Sequence, residues 1–254
     1  MAPKKSTDSW TKIIFDSVRR FIRAARSFFF AFIYPKVIEL SMREDFVMAK
    51  REVFADIDSV TPSDKRNGQI KILEIGVGPG FNLPFYPKNC TLIALDKNPY
   101  FKSILTQKLK KHPGITLEKF VNECAEDMTS IPANSVDVVI SSCVHCSVDD
   151  NFKVFEEIQR VLVPGGRYYF FEHILDEPHT TRYKWQTFFN KTGLWQLMWH
   201  GCVFTDFESK ISKCEHFKYK GKLYRVFNDK NNWTYYITYP VVPHFGGCAI
   251  IEKT

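Results

Sequence analysis

The chain has 254 residues, enough to bury a full core as one large domain or as one domain with additions. Hydrophobic residues make up 44% and charged residues 25%, which excludes a mostly disordered chain. Residues 1–36 hold eight Lys/Arg against two acids, whereas the other 218 residues carry 27 basic and 26 acidic groups. The body is therefore close to neutral, and a nucleic-acid-binding surface is excluded as its main feature. Seven cysteines, an odd number spread thinly, imply no disulfide framework and point to reduced thiols.

The N-terminal segment fits neither a signal peptide nor a membrane span, because Arg19, Arg20, Arg23 and Arg26 interrupt every apolar stretch and only 27–35 are free of charge. Its spacing is helical. Trp10, Ile14, Val18, Phe21, Ile22, Ala25, Phe28, Phe29 and Phe32 recur at three- and four-residue steps, while Lys12, Asp16 and the arginines take much of the other side. A helix with aromatic residues on one face and arginine on the other suits an anionic bilayer surface, engaged through residues 10–34. The alternative is that the apolar face packs on the protein's own core. Residues 1–60 are read as this basic amphipathic region, with a charged helix over 42–51. Residues 61–68 (TPSDKRNG) read as a linker. A second domain is expected over 69–254.

From residue 69 onward, strand and helix patterns alternate. Strands are expected at 70–75, 91–96, 115–121, 136–141 and 167–172, and helices at 100–111 and 149–162. Pro164-Gly165-Gly166 stops the second of these helices. Such alternation predicts an α/β fold, a mostly parallel twisted sheet with helices on both faces. Ligands bind such sheets beyond the carboxyl ends of the strands, where the strand order reverses.

The first strand runs into Glu74-Ile75-Gly76-Val77-Gly78-Pro79-Gly80. Glycines there permit a tight turn and close approach of a ligand. A dinucleotide fingerprint would need glycine at 81, which is Phe, and Pro79 removes an N–H that a phosphate would use. Asp96, twenty residues after Gly76, ends the next strand, where an acid can accept both hydroxyls of a ribose. Asn98-Pro99 follows and opens the next helix. Ala125-Glu126-Asp127-Met128 follows the third strand, and Ser142 lies just past the fourth.

These segments, with Asp137-Val138-Val139 and Pro164-Gly165-Gly166, resemble the Rossmann-like class I methyltransferases of the UbiE-like group. The finer resemblance is to the membrane-associated thiol S-methyltransferases (methyltransferase-like protein seven family). It is carried by Phe85-Tyr86-Pro87, Cys146-Ser147-Val148, Arg160-Val161-Leu162, Glu172-His173, Trp185-Gln186, Gly201-Cys202 with Thr205, and Pro243-His244. The resemblance implies methyl transfer from S-adenosylmethionine to small alkyl or aryl thiols, on the endoplasmic reticulum or lipid droplets, with a cytosolic location as the alternative. It implies cofactor contacts from Glu74, Gly76, Gly78, Gly80, Asp96, Asn98, Ala125, Glu126 and Ser142. The loop at Ala125 and Glu126 would meet the adenine.

The chemistry itself asks little of a general base. A sulfonium methyl is already activated, and a thiol with a pKa of about 8.5 is partly ionised near neutral pH. His145 and His173, after the fourth and fifth strands, are the candidate catalytic helpers. Cys143-x-x-Cys146 is half a zinc motif without a second close pair, so no metal is expected. Two other functions remain open. One is a C- or O-methyltransferase for a quinone, sterol or other lipid-like acceptor. The other is a non-catalytic membrane or lipid-droplet tether.

Overall fold

The computed structural model describes residues 7–41, 44–63, 68–231 and 233–252. The expectations at 42–43 and 64–67, and those on the side chains of Trp10 and Arg23, lie outside the described residues.

In chain order the elements are α1 (Thr7–Ser41), α2 (Glu44–Val53), β1 (Ile70–Ile75), β2 (Cys90–Leu95), α3 (Phe101–Leu109), β3 (Ile115–Val121), β4 (Val136–Ser142), α4 (Asn151–Val161), β5 (Leu162–His173), α5 (Thr181–Thr192), α6 (Leu194–Met198), α7 (Phe207–Ile211), β6 (Phe217–Arg225), α8 (Thr234–Thr238) and β7 (Pro243–Ile251). The seven strands form one sheet in the order β3-β2-β1-β4-β5-β7-β6. The pairs from β3 to β5 are parallel, and β7 runs antiparallel to both neighbours. This is the Rossmann-like class I methyltransferase fold. The order reverses between β1 and β4, so the crevice for a ligand opens beyond Ile75 and Ser142.

Strand alternation sorts the core into two layers. Leu73, Ile75, Val139, Tyr168 and Phe170 point to one face and meet Phe155 and Ile158 of α4 and Phe207 of α7. Ile72, Val138, Ile140, Tyr169 and Phe171 point to the other, against Phe46, Ala49 and Val53 of α2 and Leu105 of α3. Each fully buried side chain of this size contributes about 1.5–3 kcal/mol. Helix α4 begins where the Asp150 carboxylate accepts the N–H groups of Phe152 and Lys153.

Most element ends shift by one or two residues from expectation, as β2 does at Cys90–Leu95, and the start of β5 shifts further. β5 starts at Leu162 rather than at Arg167, because Leu162 already pairs with Val136 and the ladder to β4 resumes at Arg167 after a register shift. The division between 1–60 and 69–254 is not a packing boundary, since α2 shares the core layer of β1, β4 and β5. The lysine-rich stretch near 220 is the edge strand β6, whose Lys218, Lys220 and Lys222 are exposed, as suits an unpaired edge.

The two halves of the N-terminal helix differ in burial. Phe30, Tyr34, Val37 and Ile38 of α1 line an interior pocket, and Ala31 is fully buried. Ile14, Phe15, Val18, Phe21 and Ile22 are exposed, Phe21 at 74%. No helix among the described residues is long and apolar enough to cross a membrane.

Candidate active site

A pocket of about 1090 Å³, open to solvent on one side, lies at the carboxyl ends of β1, β4 and β5. Glu74, Gly76, Val77, Gly78 and Pro79 form one wall, and Ser142, Cys143, Cys146 and His173 form the floor. Tyr34, Trp195, Trp199 and His244 supply much of the remaining lining.

The glycine turn is built for close approach. Gly76, Gly78 and Gly80 have φ of 63°, 51° and 78°, which residues with a Cβ rarely adopt. At Gly76 a Cβ would strike Val144 Cγ2 at 2.6 Å. At Gly78 a Cβ would meet nothing nearer than Gly76 O at 3.9 Å, so the space over the turn is open to a ligand. The Asp96 carboxylate braces the turn. Its Oδ2 accepts from Gly78 N at 2.9 Å and its Oδ1 from Asn98 N at 2.8 Å. Burial pushes its pKa up, and these two N–H groups oppose that.

A buried polar chain crosses the pocket wall. Lys50 Nζ donates to Asn82 Oδ1 at 2.8 Å, Asn82 Nδ2 donates to Glu74 Oε1 at 2.7 Å, and the Tyr86 hydroxyl donates to Glu74 Oε2. Burial carries Glu74 up to about 7 despite the hydrogen bonds from Tyr86 and Asn82. Lys50 is 3% exposed, and burial lowers its pKa. The pattern of α2 did not single out Lys50 because a lysine between Ala49 and Arg51 reads as a solvated turn.

Of the predicted site residues, Glu74, Gly76, Gly78, Ser142 and His173 meet in the pocket. Gly80 is buried behind the turn, its N bonded to Val77 O. Asp96, Asn98, Ala125 and Glu126 lie outside the lining. Asn98 Nδ2 is tied to Ser27 O, Ala125 packs into the core, and Glu126 Oε1 accepts from Asp149 N at 2.7 Å.

His145 is a correction. It lies in the α4 layer of the core, not in the pocket. Its ring stacks on Phe155, Nδ1 is 2.6 Å from Asn151 Oδ1, and Nε2 is 2.8 Å from the Tyr168 hydroxyl. Burial lowers its pKa to about 3, so it stays neutral and acts as packing.

His173 is 5% exposed, with Nε2 3.2 Å from Cys202 Sγ and a buried Nδ1 that has no hydrogen-bond partner among the described residues. Cys202 also accepts from Trp195 Nε1 at 3.3 Å. Contact with Cys202, then burial, raises the Cys146 thiol far above its usual range. The structure thus brings two dispersed cysteines against His173, a grouping no local spacing could reveal. All seven cysteines are free.

These residues fit S-adenosylmethionine. The open turn at Gly76 and Gly78, braced from behind by Asp96, would take its close approach, and Glu74 and Lys50 would take the two charged groups of its amino-acid end.

Residues 73–170 match the family model described as a methyltransferase domain. The chain is 37% identical over 156 residues to thiol S-methyltransferase TMT1B of Homo sapiens, covering 61% of this chain and 62% of that protein. It is 36% identical over 163 residues to thiol S-methyltransferase TMT1A of Homo sapiens, covering 64% of each. The aligned part thus spans somewhat less than two thirds of these relatives. Among solved structures, a putative sarcosine dimethylglycine methyltransferase from Galdieria sulphuraria superposes with a TM-score of 0.58 at 13% identity, covering 82% of this chain and 86% of that one. The match to a methyltransferase domain thus covers β1 to β5, within a fold that continues through β7.

Proposed function

We propose that the protein transfers a methyl group from S-adenosylmethionine to small thiols. One observation carries the reading: the open glycine turn and the Glu74–Asn82–Lys50 chain share a single pocket with half-buried Cys143 and buried Cys146, His173 and Cys202. The named activity of the two human relatives supports the substrate class.

When bound, the cofactor would supply an electrophilic methyl, carried on a sulfonium, to the sulfur of an acceptor already present as thiolate. The chain's own residues then have three tasks. Gly76 and Gly78 admit the cofactor closely, and Asp96 holds their turn rigid. Tyr34, Trp195 and Trp199 wall off water, which strengthens every charge interaction inside. The buried floor receives an acceptor that is apolar apart from its sulfur.

The exposed half of α1 supports peripheral attachment to an anionic endoplasmic-reticulum or lipid-droplet surface. Its apolar residues continue into Phe29 and Ile33, beside Leu197 and Met198 around a second surface hollow. An apolar thiol dissolved in that surface would then reach the pocket along the same helix.

The test is direct. Purified protein is incubated with methyl-labelled S-adenosylmethionine and matched panels of alkyl and aryl thiols, quinols and sterols. Label appearing in thioethers is expected. Label only in quinols or sterols transfers the reading to O- or C-methylation, and no turnover with tight cofactor binding favours a tether.

A further inference from the structure

We propose that Cys146, His173 and Cys202 form a zinc site in the pocket floor, with a fourth position open to the sulfur of the acceptor. One sulfur follows β4, the imidazole ends β5, and the other sulfur follows α6. Their ligand atoms all lie within 4.8 Å of one another, and all three residues are buried and line the pocket.

The geometry suits tetrahedral zinc. Zn–S bonds of about 2.3 Å and Zn–N bonds of about 2.0–2.1 Å set ligand-to-ligand edges of about 3.5–3.8 Å. His173 Nε2 and Cys202 Sγ stand at 3.2 Å, just inside that edge. The supporting backbone is fixed: Val203 N donates to Cys146 O at 2.7 Å, and Leu175 N donates to Thr205 O at 3.0 Å. Trp195 Nε1 donates to Cys202 Sγ at 3.3 Å, the kind of outer hydrogen bond that orients a metal-bound thiolate.

Charge favours the same assignment. Two thiolates and a neutral imidazole bring Zn²⁺ to a net charge of zero, which a buried apolar floor tolerates. Two cysteines and one histidine with an open position is also a known catalytic zinc set. When an acceptor thiol coordinates, the S–Zn bond forms and the S–H proton leaves to solvent. Zinc stays divalent and no electron moves. The site then carries one net negative charge, opposite to a sulfonium. That last role rests on the thiol methyltransferase reading, whereas metal binding itself does not.

The full chain, purified under reducing conditions without chelator, is assayed for zinc by mass spectrometry and then loaded with Co²⁺. One metal per chain and a thiolate-to-cobalt charge-transfer band are expected, both lost in Cys146→Ser and Cys202→Ser and both kept in Cys214→Ser, which lies away from the pocket. Adding a small thiol without cofactor should shift the cobalt d–d bands. A native chain that takes up neither zinc nor cobalt, or that holds Cys146 and Cys202 as a disulfide, overturns the site whether or not the variants fold. Bands that thiols leave unchanged overturn the open position. A metal-free chain that methylates thiols overturns the site and leaves the functional reading intact, while a metal-binding chain inert toward thiols does the reverse.

Discussion

Asn98 Nδ2 donates to the backbone carbonyl of Ser27 at 2.9 Å, which ties helix α1 to the end of β2 two residues beyond Asp96. The same stretch of α1 is held by Phe28 against Tyr100, Phe30 against His200 and Tyr34 against Phe81. The half of α1 that carries Phe30 and Tyr34 is therefore part of the candidate active site.

Asp96→Asn should weaken binding of S-adenosylhomocysteine at least tenfold. The amide leaves an N–H facing one of the backbone donors of Gly78 and Asn98, and the charged acceptor is lost. A hydrogen bond to a charged group is worth about 1.5–3 kcal/mol, and about 1.4 kcal/mol is a factor of ten. Calorimetric titration decides it, and unchanged affinity in a folded variant removes Asp96 from the cofactor site.

The sheet was legible in the sequence because it follows from local pattern. Apolar runs such as 70–75 and 115–121 are strands at their predicted ends. The glycine turn was legible for the same reason, since its residues are contiguous. Lys50, Asn82, Tyr34 and Cys202 were not legible as site residues, because chain crossings bring them to the pocket and no local period marks them. His145 misled for a related reason. Its position after β4 is right for catalysis, but Asn151 and Tyr168 turn its ring into the other core layer.

Lys50→Met should raise the melting temperature of the free protein while weakening cofactor binding. The folded-state pKa of Lys50 is lowered, so its charge costs stability at neutral pH, and Nζ donates to an amide oxygen rather than to a carboxylate. Each kcal/mol recovered raises the melting temperature by about 2–4 °C. If Lys50 receives the cofactor's carboxylate, affinity for S-adenosylhomocysteine should fall while that for methylthioadenosine, which lacks the carboxylate, should not. Parallel losses for both ligands would assign Lys50 to packing.

Asp176 sets an acid limit on stability. It is buried, with Oδ2 2.6 Å from Arg182 Nη1 and Oδ1 3.3 Å from Arg225 Nη2. Burial raises its pKa, but the two guanidinium groups outweigh burial and leave it below the usual carboxylate value. A depressed pKa stabilises the fold above the unfolded value of about 3.9, and that contribution is lost as the pH falls through the folded value. Asp176→Asn should therefore cost about 3 kcal/mol at pH 7, and the gap to the native chain should narrow below about pH 4. Urea melts at several pH values check this, and a gap that does not vary with pH would mean that shape rather than charge is lost.

The exposed half of α1 makes a prediction about membranes that leaves the pocket alone. Ile14, Val18, Phe21 and Ile22 are exposed, and Arg19, Arg20, Arg23 and Arg26 lie in the same helix. The Arg19 guanidinium lies 4.2 Å from the centre of the Phe15 ring. Each basic residue near an anionic surface contributes about 1 kcal/mol, screened over about 8 Å at physiological salt. Replacing the four arginines by Gln should release the chain from liposomes containing phosphatidylserine, with cofactor affinity little changed. High salt should weaken native binding without abolishing it, because the apolar term remains. Phe21→Glu with Ile14→Glu should release the chain at any salt concentration. Flotation with neutral and anionic vesicles reads all of these. Full flotation of both variants would show that these residues do not hold the chain to the surface. Deletion of 1–36 would not test the same thing, since it also removes Phe30 and Tyr34 from the pocket wall.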